Sequence, residues 1–215
     1  MERVICLIIG YAFGLFQTAF IYGKLHGIDI REHGSGNAGT TNTLRVLGTK
    51  AGLIVLAGDI IKCILAIVIS GLVFGASHLD EIYLLKLYAA AGAILGHNFP
   101  FYLHFRGGKG IAATAGLILS FHIAFLPMGV IIFFGTFFLT HYVSLGSLLV
   151  YAGLMIEMVV VGQAGLFGAS QAVLNEMYIV TALLTILAYY KHRENIGRLL
   201  KGTERKTYLT KKNKE

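Results

Sequence analysis

Charge is what this sequence has least of. Of 215 residues, 13% are charged, against about 25% in an average soluble domain. Hydrophobic residues make up 56%, and mean hydropathy is +0.72. A soluble domain of this size lacks the interior to hide so much apolar surface. An ordinary cytosolic globule and a disordered chain are therefore excluded. Cysteine is also scarce. Cys6 and Cys63 both sit in apolar runs with no histidine close in sequence, so they read as small buried hydrophobes rather than a disulfide framework or a catalytic thiol. The two prolines, Pro100 and Pro127, fall near the ends or breaks of apolar stretches. No internal repeat and no low-complexity tract is present. What remains is an all-α, polytopic membrane protein: a single membrane-embedded domain over 1–215, with nothing of domain size outside the bilayer.

Apolar stretches cover 4–22, 51–76, 82–103, 111–139, 145–161 and 177–190. They are helices by necessity, because a span must satisfy its own backbone and no alternating barrel pattern occurs. The first stretch resembles a signal peptide in length, but Glu2 and Arg3 cancel and no small-x-small cleavage site follows. It is read as the first span. The polar segments 24–50, 106–109 and 191–215 are basic; 77–81 and 162–176 are neutral or acidic. The positive-inside rule assigns the first group to the cytoplasm. Residues 191–215 carry nine of the eighteen basic residues and three of the eleven acidic ones, hence +6 of the net +7. Nucleic-acid binding is one reading of such a tail. A cytoplasmic segment lying near anionic headgroups is the preferred one, with no nucleic-acid partner.

Parity then constrains 111–139, which must cross twice if the basic segments flanking it share a face. Its 29 residues span about 43 Å as helix, long for one crossing and short for two. Two short helices meeting outside near Pro127 are expected. The count becomes seven transmembrane helices, with the N-terminus outside and the C-terminus cytoplasmic. Five is the fallback if two weak runs are re-entrant.

Three cytoplasmic segments carry the candidate chemistry. In 34–45, Gly34, Gly36 and Gly39 alternate with small polar residues. Such glycines let successive backbone N–H groups cradle an anion. Ser35, Thr41 and Asn42 add donors, and Arg45 can grip phosphate with two N–H groups. In 96–110, Gly107-Gly108-Lys109-Gly110 precedes a helix, which places free N–H groups, a helix N-terminus and an ammonium together. It is not a Walker A loop, since Ile111 stands where a hydroxyl would hold magnesium. In 191–206, His192 and Asn195 share a face if the last helix continues. His192 is a candidate base or phosphate donor. An amphipathic interfacial helix is the alternative for this segment. Asp59 and Lys62, i and i+3 within a span, are read as an intramembrane pair. Glu157 and His122 are read as structural. No carboxylate cluster or His-x-x-x-His pair supports a metal. The resulting site is cationic, rich in donors and beside lipid, which suits a phosphorylated substrate with an acyl chain.

At these residues the chain resembles the bacterial acyl-phosphate:glycerol-3-phosphate acyltransferases, the PlsY family. The resemblance runs through Asp29-Ile30-Arg31, Gly34-Ser35-Gly36-Asn37, Thr41-Asn42, Arg45, Asp59-Ile60-Ile61-Lys62 and Gly96-His97-Asn98-Phe99-Pro100. It continues through Gly107 to Gly110, Tyr142-Val143-Ser144-Leu145-Gly146-Ser147, His192-Arg193-Glu194-Asn195-Ile196, Arg198-Leu199 and Gly202-Thr203-Glu204. Departures are Thr40 for the usual alanine, Ala113 for threonine, Cys63 for glycine, and His141 where a permanently charged base is common. A neutral His141 would contact phosphate weakly and with pH dependence.

The resemblance implies transfer of an acyl group from acyl phosphate to the primary hydroxyl of glycerol 3-phosphate, giving lysophosphatidic acid and phosphate in the bacterial inner membrane. This is the first step of phospholipid biosynthesis. It implies no cofactor and no metal, and a functional link to an enzyme that makes acyl phosphate. Implied catalytic residues are Ser35, Arg45, Lys109, His192 and Asn195. Implied substrate and phosphate contacts are Gly34, Gly36, Asn37, Thr41, Asn42, His97, Gly107, Gly108, Gly110, His141, Ser144, Arg198 and Glu204. The motif segments are 29–50, 96–110, 140–147 and 191–206, with a basic tail at 205–215. His192 and a phosphate oxygen of glycerol 3-phosphate both remain candidate bases, the phosphate preferred. A transporter of phosphorylated solutes, and an acyltransferase using acyl-CoA or acyl carrier protein, are the rival readings.

Overall fold

The structure is a computed structural model that describes residues 1–208; residues 209–215 of the basic tail lie outside the described residues. Ten α-helices follow in order: α1 Glu2–Gly14, α2 Thr18–Leu25, α3 Thr40–Leu47, α4 Thr49–Phe74, α5 Ile82–Asn98, α6 Ile111–Ser120, α7 Phe125–Thr140, α8 Val143–Gln163, α9 Gln171–Lys191 and α10 Arg193–Leu200. No strand occurs among the described residues.

Among the described residues, four stretches are long and apolar enough to cross a membrane: Glu2–Leu25, Thr49–Phe74, Val143–Gln163 and Gln171–Lys191. Leucines, isoleucines and valines cover their outer surfaces and remain exposed, as Leu72, Ile156, Val160, Leu183 and Ile186 do. On a soluble protein such a surface would be a liability; facing acyl chains it is the stable arrangement. The first of these stretches is not one helix. It breaks at Leu15–Gln17, where the Gln17 amide donates to the carbonyls of Gly14, Gly96 and His97 at 3.0, 3.1 and 3.2 Å. A side chain thus supplies donors to carbonyls at two helix ends.

Stretch 111–139 forms two short helices, as its length requires. Their turn lies at 121–124, ahead of Pro127. Pro127 is the third residue of α7, where its missing N–H deprives no carbonyl of a partner. Proline there starts the second helix and does not break the first. The ten residues of α6 rise about 15 Å, half the thickness of a hydrocarbon core. His122 sits in this turn, edge-on to Tyr83 and Phe167.

The tightest pair is α1 against α5. A Cβ on Gly10 would sit 1.9 Å from the Ala89 carbonyl oxygen, and one on Gly92 would sit 2.1 Å from that of Leu7. Small residues let the two backbones touch, which is the attraction left to helices in lipid. Near the N-termini of α1, α5 and α9, Arg3 holds Glu176 through two bonds of 2.7 and 3.0 Å and reaches Glu81 at 3.1 Å; Tyr88 donates to Glu176 at 2.8 Å. Replacing Glu176 by alanine is expected to lower unfolding stability in detergent by about 1–2 kcal/mol and to leave turnover unchanged. A change in KM instead would contradict its structural role.

Cys6 and Cys63 are free and fully buried. Asp59 and Lys62 form the expected pair, 2.8 Å apart. The C-terminal ends of α5 and α9, the N-terminal ends of α3 and α8, and lengths of α4, α6 and α7 all contribute to one cavity.

Candidate active site

The glycine loop before α3 is shaped by Asn42. Its side-chain nitrogen donates to the carbonyls of Ile30 and His33 at 3.0 and 2.9 Å, and its oxygen accepts the Ser35 N–H at 2.7 Å. Gly34 follows the loop into a left-handed turn (φ +63°), where a Cβ would lie 2.3 Å from the Asn42 oxygen. Asn42 is 1% exposed, and its amide is committed to the backbone. It therefore builds the loop and has no donor left for phosphate. The Ser35 side chain, by contrast, is exposed at the cavity wall.

The Gly107–Gly110 loop is seated on the end of α5. Gly107 N–H donates to the Asn98 carbonyl at 3.3 Å and Gly108 N–H to the His97 carbonyl at 3.1 Å. Gly110 caps α6 at φ +85°. Lys109, between them, donates to the side-chain oxygen of Asn195. Burial, with the Arg198 charge adding to it, pulls the Lys109 ammonium down to about 8. It remains a cation at neutral pH.

From Asn195 a relay continues. Its nitrogen donates to Glu204 Oε1 at 2.6 Å; Ser144 donates to the same oxygen at 2.9 Å; Arg198 donates to Glu204 Oε2 at 2.7 Å. Burial would raise the Glu204 carboxyl, but these donors outweigh it and hold it below its ordinary value. These three donors occupy both carboxylate oxygens of Glu204. Glu204 holds Asn195 and Arg198 in place at the cavity wall.

The last span does not continue as one helix. α9 ends at Lys191, His192 is the junction, and α10 turns away. His192 Nδ1 lies 2.8 Å from the Ala188 carbonyl. That carbonyl only accepts, so Nδ1 carries the proton and Nε2 a bare lone pair. Burial lowers the imidazole to about 4, so it is neutral at pH 7.

Arg45, half-buried on α3, donates to the Thr207 hydroxyl at 2.7 Å and to the Arg205 carbonyl at 3.4 Å. Thr207 is 2% exposed and its N–H meets the His141 carbonyl at 2.9 Å. Residues 203–208 therefore fold back onto the site as a strap, a packing role that positive charge alone did not foretell.

These groups line one cavity of about 770 Å³, within the usual range for a small-molecule site. Ser35, Arg45, Lys109, His192 and Asn195 all reach its wall, as do Gly34, Gly36, Asn37, Thr41, Asn42, His97, Gly110, Ser144, Arg198 and Glu204. Gly107, Gly108 and His141 do not. The two glycines are packed under the loop, and His141 is the left-handed cap of α7 (φ 61°) with its ring against Phe137 and Tyr208. Thr40 and Lys191 line the wall unforeseen. The Thr40 hydroxyl is buried and without a partner; its only sequence signal was a hydroxyl in place of a small apolar residue. An apolar part of the cavity runs along Leu56, Ile60, Ile118, Val130, Phe133 and Phe134 of α4, α6 and α7.

A cationic, donor-rich head joined to a greasy trough inside a helical membrane bundle narrows the comparison. The family described as glycerol-3-phosphate acyltransferase matches residues 4–202. The chain belongs to that family. A glycerol-3-phosphate acyltransferase of Bacillus cytotoxicus is 40% identical over 210 residues, covering 97% of this chain and 96% of the relative. One of Bacillus subtilis is 41% identical over 208 residues, covering 96% and 98%. Among solved structures, the glycerol 3-phosphate form of PlsY (YgiH), an integral membrane glycerol 3-phosphate acyltransferase, superposes with a TM-score of 0.82 at 27% identity. It covers 97% of this chain and 96% of that one. The lysophosphatidic acid form gives 0.80 at 27% identity, covering 97% of both. This chain is thus a multi-pass membrane acyltransferase of the PlsY family, and its polar head is a candidate for the acyltransferase's phosphate chemistry.

Proposed function

We propose that the enzyme transfers an acyl group from acyl phosphate to the sn-1 hydroxyl of glycerol 3-phosphate, releasing lysophosphatidic acid and inorganic phosphate. The observation that carries this reading is the continuity of the cavity. Lys109, Arg45 and the glycine loop line the same cavity as a run of apolar side chains on α4, α6 and α7, and such a run suits an acyl chain. The donor is a mixed anhydride and already activated, so the site needs positioning and charge stabilisation rather than a nucleophile.

In this reading the hydroxyl oxygen bonds to the acyl carbonyl carbon, the bond from that carbon to the phosphate oxygen breaks, and phosphate leaves. Lys109 and Arg45 neutralise phosphate charge. Ser35 and the loop N–H groups hold the acyl phosphate and the developing oxyanion. Glu204 keeps Asn195 and Arg198 in place. The bare Nε2 of His192 accepts from a substrate hydroxyl and orients it. For the proton, basicity decides between the candidates. Burial pulls His192 down to about 4, which makes it a weak base, whereas a phosphate monoester in water has a second pKa of about 6. This reading therefore assigns the hydroxyl proton to the substrate's own phosphate. His192→Ala then loses KM more than kcat; complete loss of kcat at unchanged substrate binding would restore His192 as the base.

The same reading puts the polar end of the bundle, with the C-terminal segment, on the cytoplasmic face of the bacterial inner membrane, and the N-terminus outside, in keeping with the basic segments. An enzyme that forms acyl phosphate in the cytoplasm or at the membrane is the functional partner. Purified protein with labelled glycerol 3-phosphate tests the donor. Lysophosphatidic acid is expected with acyl phosphate and not with acyl-CoA or acyl carrier protein. Product from a thioester alone would overturn the donor assignment, and no product from any donor would favour a transporter.

The lowered Lys109 gives a pH signature. Its charge is present below about 8 and lost as pH rises through that value. Since kcat/KM reports the free enzyme, kcat/KM for glycerol 3-phosphate is expected to fall about tenfold per unit above pH 8. A Lys109→Arg variant, which keeps its charge, shows no such fall. A wild-type profile flat to pH 9.5 would contradict the assignment.

A further inference from the structure

The family match ends at residue 202, yet the strap beyond it is firmly fastened. Gly202 takes a left-handed turn (φ +66°) after α10, and the Thr203 N–H closes on the Arg198 carbonyl at 2.8 Å. Glycine makes such a turn without strain. Glu204 and Arg205 then line the cavity. Two bonds tie this segment to the corner between α7 and α8. Ser144 donates to Glu204 at 2.9 Å, and the Thr207 N–H donates to the His141 carbonyl at 2.9 Å. The Tyr208 ring lies against that of His141, with centroids 4.7 Å apart. Of this strap, only Glu204 enters the transfer steps.

Thr207 is buried at 2% exposure in this otherwise charged run. Its hydroxyl accepts from Arg45 Nη2 at 2.7 Å, and the Arg205 carbonyl accepts from the same nitrogen at 3.4 Å. Both acceptors are neutral, so neither cancels the charge. A guanidinium has five N–H donors, and Nε and Nη1 carry the three that Nη2 does not. Arg45 stands in the cavity wall. Burial, with the Arg205 charge adding to it, pushes its guanidinium down. The carboxylate nearby, Glu204, already bonds Ser144, Asn195 and Arg198. A half-buried cation held by neutral oxygens is short of an anion.

We propose that Thr207 is a positioning residue: fixed to His141 by its own N–H, it holds Arg45 by Nη2 and so presents the remaining N–H groups to a phosphoryl oxygen in the cavity. An arginine that the strap already holds has less side-chain freedom to lose when phosphate binds. Linkage makes the effect reciprocal. Bound phosphate tightens the strap by the same factor as the strap tightens phosphate. Which substrate carries that phosphate rests on the acyl-transfer reading; the coupling of strap to phosphate does not.

Calorimetric titration of the full-length protein in detergent with inorganic phosphate tests the coupling without any acyl donor. Thr207→Val removes the acceptor and keeps the shape; it is expected to weaken phosphate binding about tenfold. Thr207→Ser returns the hydroxyl and restores the affinity. In an Arg45→Lys background the two losses do not add, since the threonine acts through the guanidinium. Unchanged affinity in Thr207→Val, or full additivity with Arg45→Lys, overturns the proposal. So does tighter binding in Thr207→Val, which would make the strap a competitor of phosphate. In wild type, hydrogen exchange at the Thr207 amide is expected to slow about tenfold under saturating phosphate; exchange indifferent to phosphate overturns the proposal even if the valine variant fails to fold. Turnover then assigns the phosphate: Thr207→Val raises KM for the substrate that Arg45 holds, with kcat reduced by less than about threefold. A wild type that binds phosphate but turns over no acyl donor would sink the acyl-transfer reading and leave the strap's role standing on the titration.

Discussion

Lys109→Met is expected to reduce kcat/KM by about a thousandfold, the scale seen when one preorganised donor to a developing anion is lost. Two contributions combine in this variant. The ammonium is the cation between the glycine loop and the α10 relay, and it is also the donor that Asn195 accepts. Methionine keeps the length and apolar stem but removes both. Asn195 would still be held by Glu204 at 2.6 Å, so the fold is expected to survive and melting in detergent to change little. Lys109→Arg should fall between, since it restores charge without the compact reach of an ammonium. Initial rates with both substrates varied check this. A loss below tenfold for the methionine variant would remove Lys109 from the chemistry.

Gly107→Ala should be nearly as damaging for a different reason. A Cβ there would sit 2.0 Å from the His97 carbonyl oxygen and 3.0 Å from the Asn98 carbonyl carbon. Both are backbone atoms at the end of α5 and cannot swing aside. The loop must lift, and Lys109 and Gly110 lift with it. Displacement of a catalytic group by about 1 Å costs on the order of a hundredfold. Gly197→Ala is the control, because nothing lies within 4 Å of a Cβ at that site. It should keep full activity and stabilise α10 slightly. The contrast is measured as the ratio of kcat/KM between the two variants; equal activity would mean the loop tolerates movement.

These two glycines show what sequence alone conveyed and what it did not. That Gly107 belongs to a tight glycine turn before a helix was legible from its neighbours. That it works from beneath the turn was not, because the clash partner is ten residues away in sequence. The same holds for Asn42 and Glu204. Their polar character in a motif suggested ligands, but the structure commits their atoms to the Ser35 loop and to the Asn195–Arg198 pair. Hydrophobic length located nearly every apolar helix, since a span advertises itself through about 20 apolar residues. It could not see the break at Gln17, which arises from a side chain bonding the end of α1 and the end of α5. Nor could it show the short amphipathic helix α3, whose polar residues read as loop. The strap at 203–208 was hidden behind its own charge: counted as part of a basic tail, it buries Glu204 and Thr207.

The central claim is that one cavity holds both substrates and passes the acyl group directly between them, with no acyl-enzyme. Initial rates measured over a matrix of acyl phosphate and glycerol 3-phosphate concentrations test it most directly. Direct transfer in a ternary complex predicts reciprocal plots that intersect, and no exchange of labelled phosphate into acyl phosphate when glycerol 3-phosphate is absent. Parallel plots together with such exchange would reveal a covalent intermediate and contradict the account.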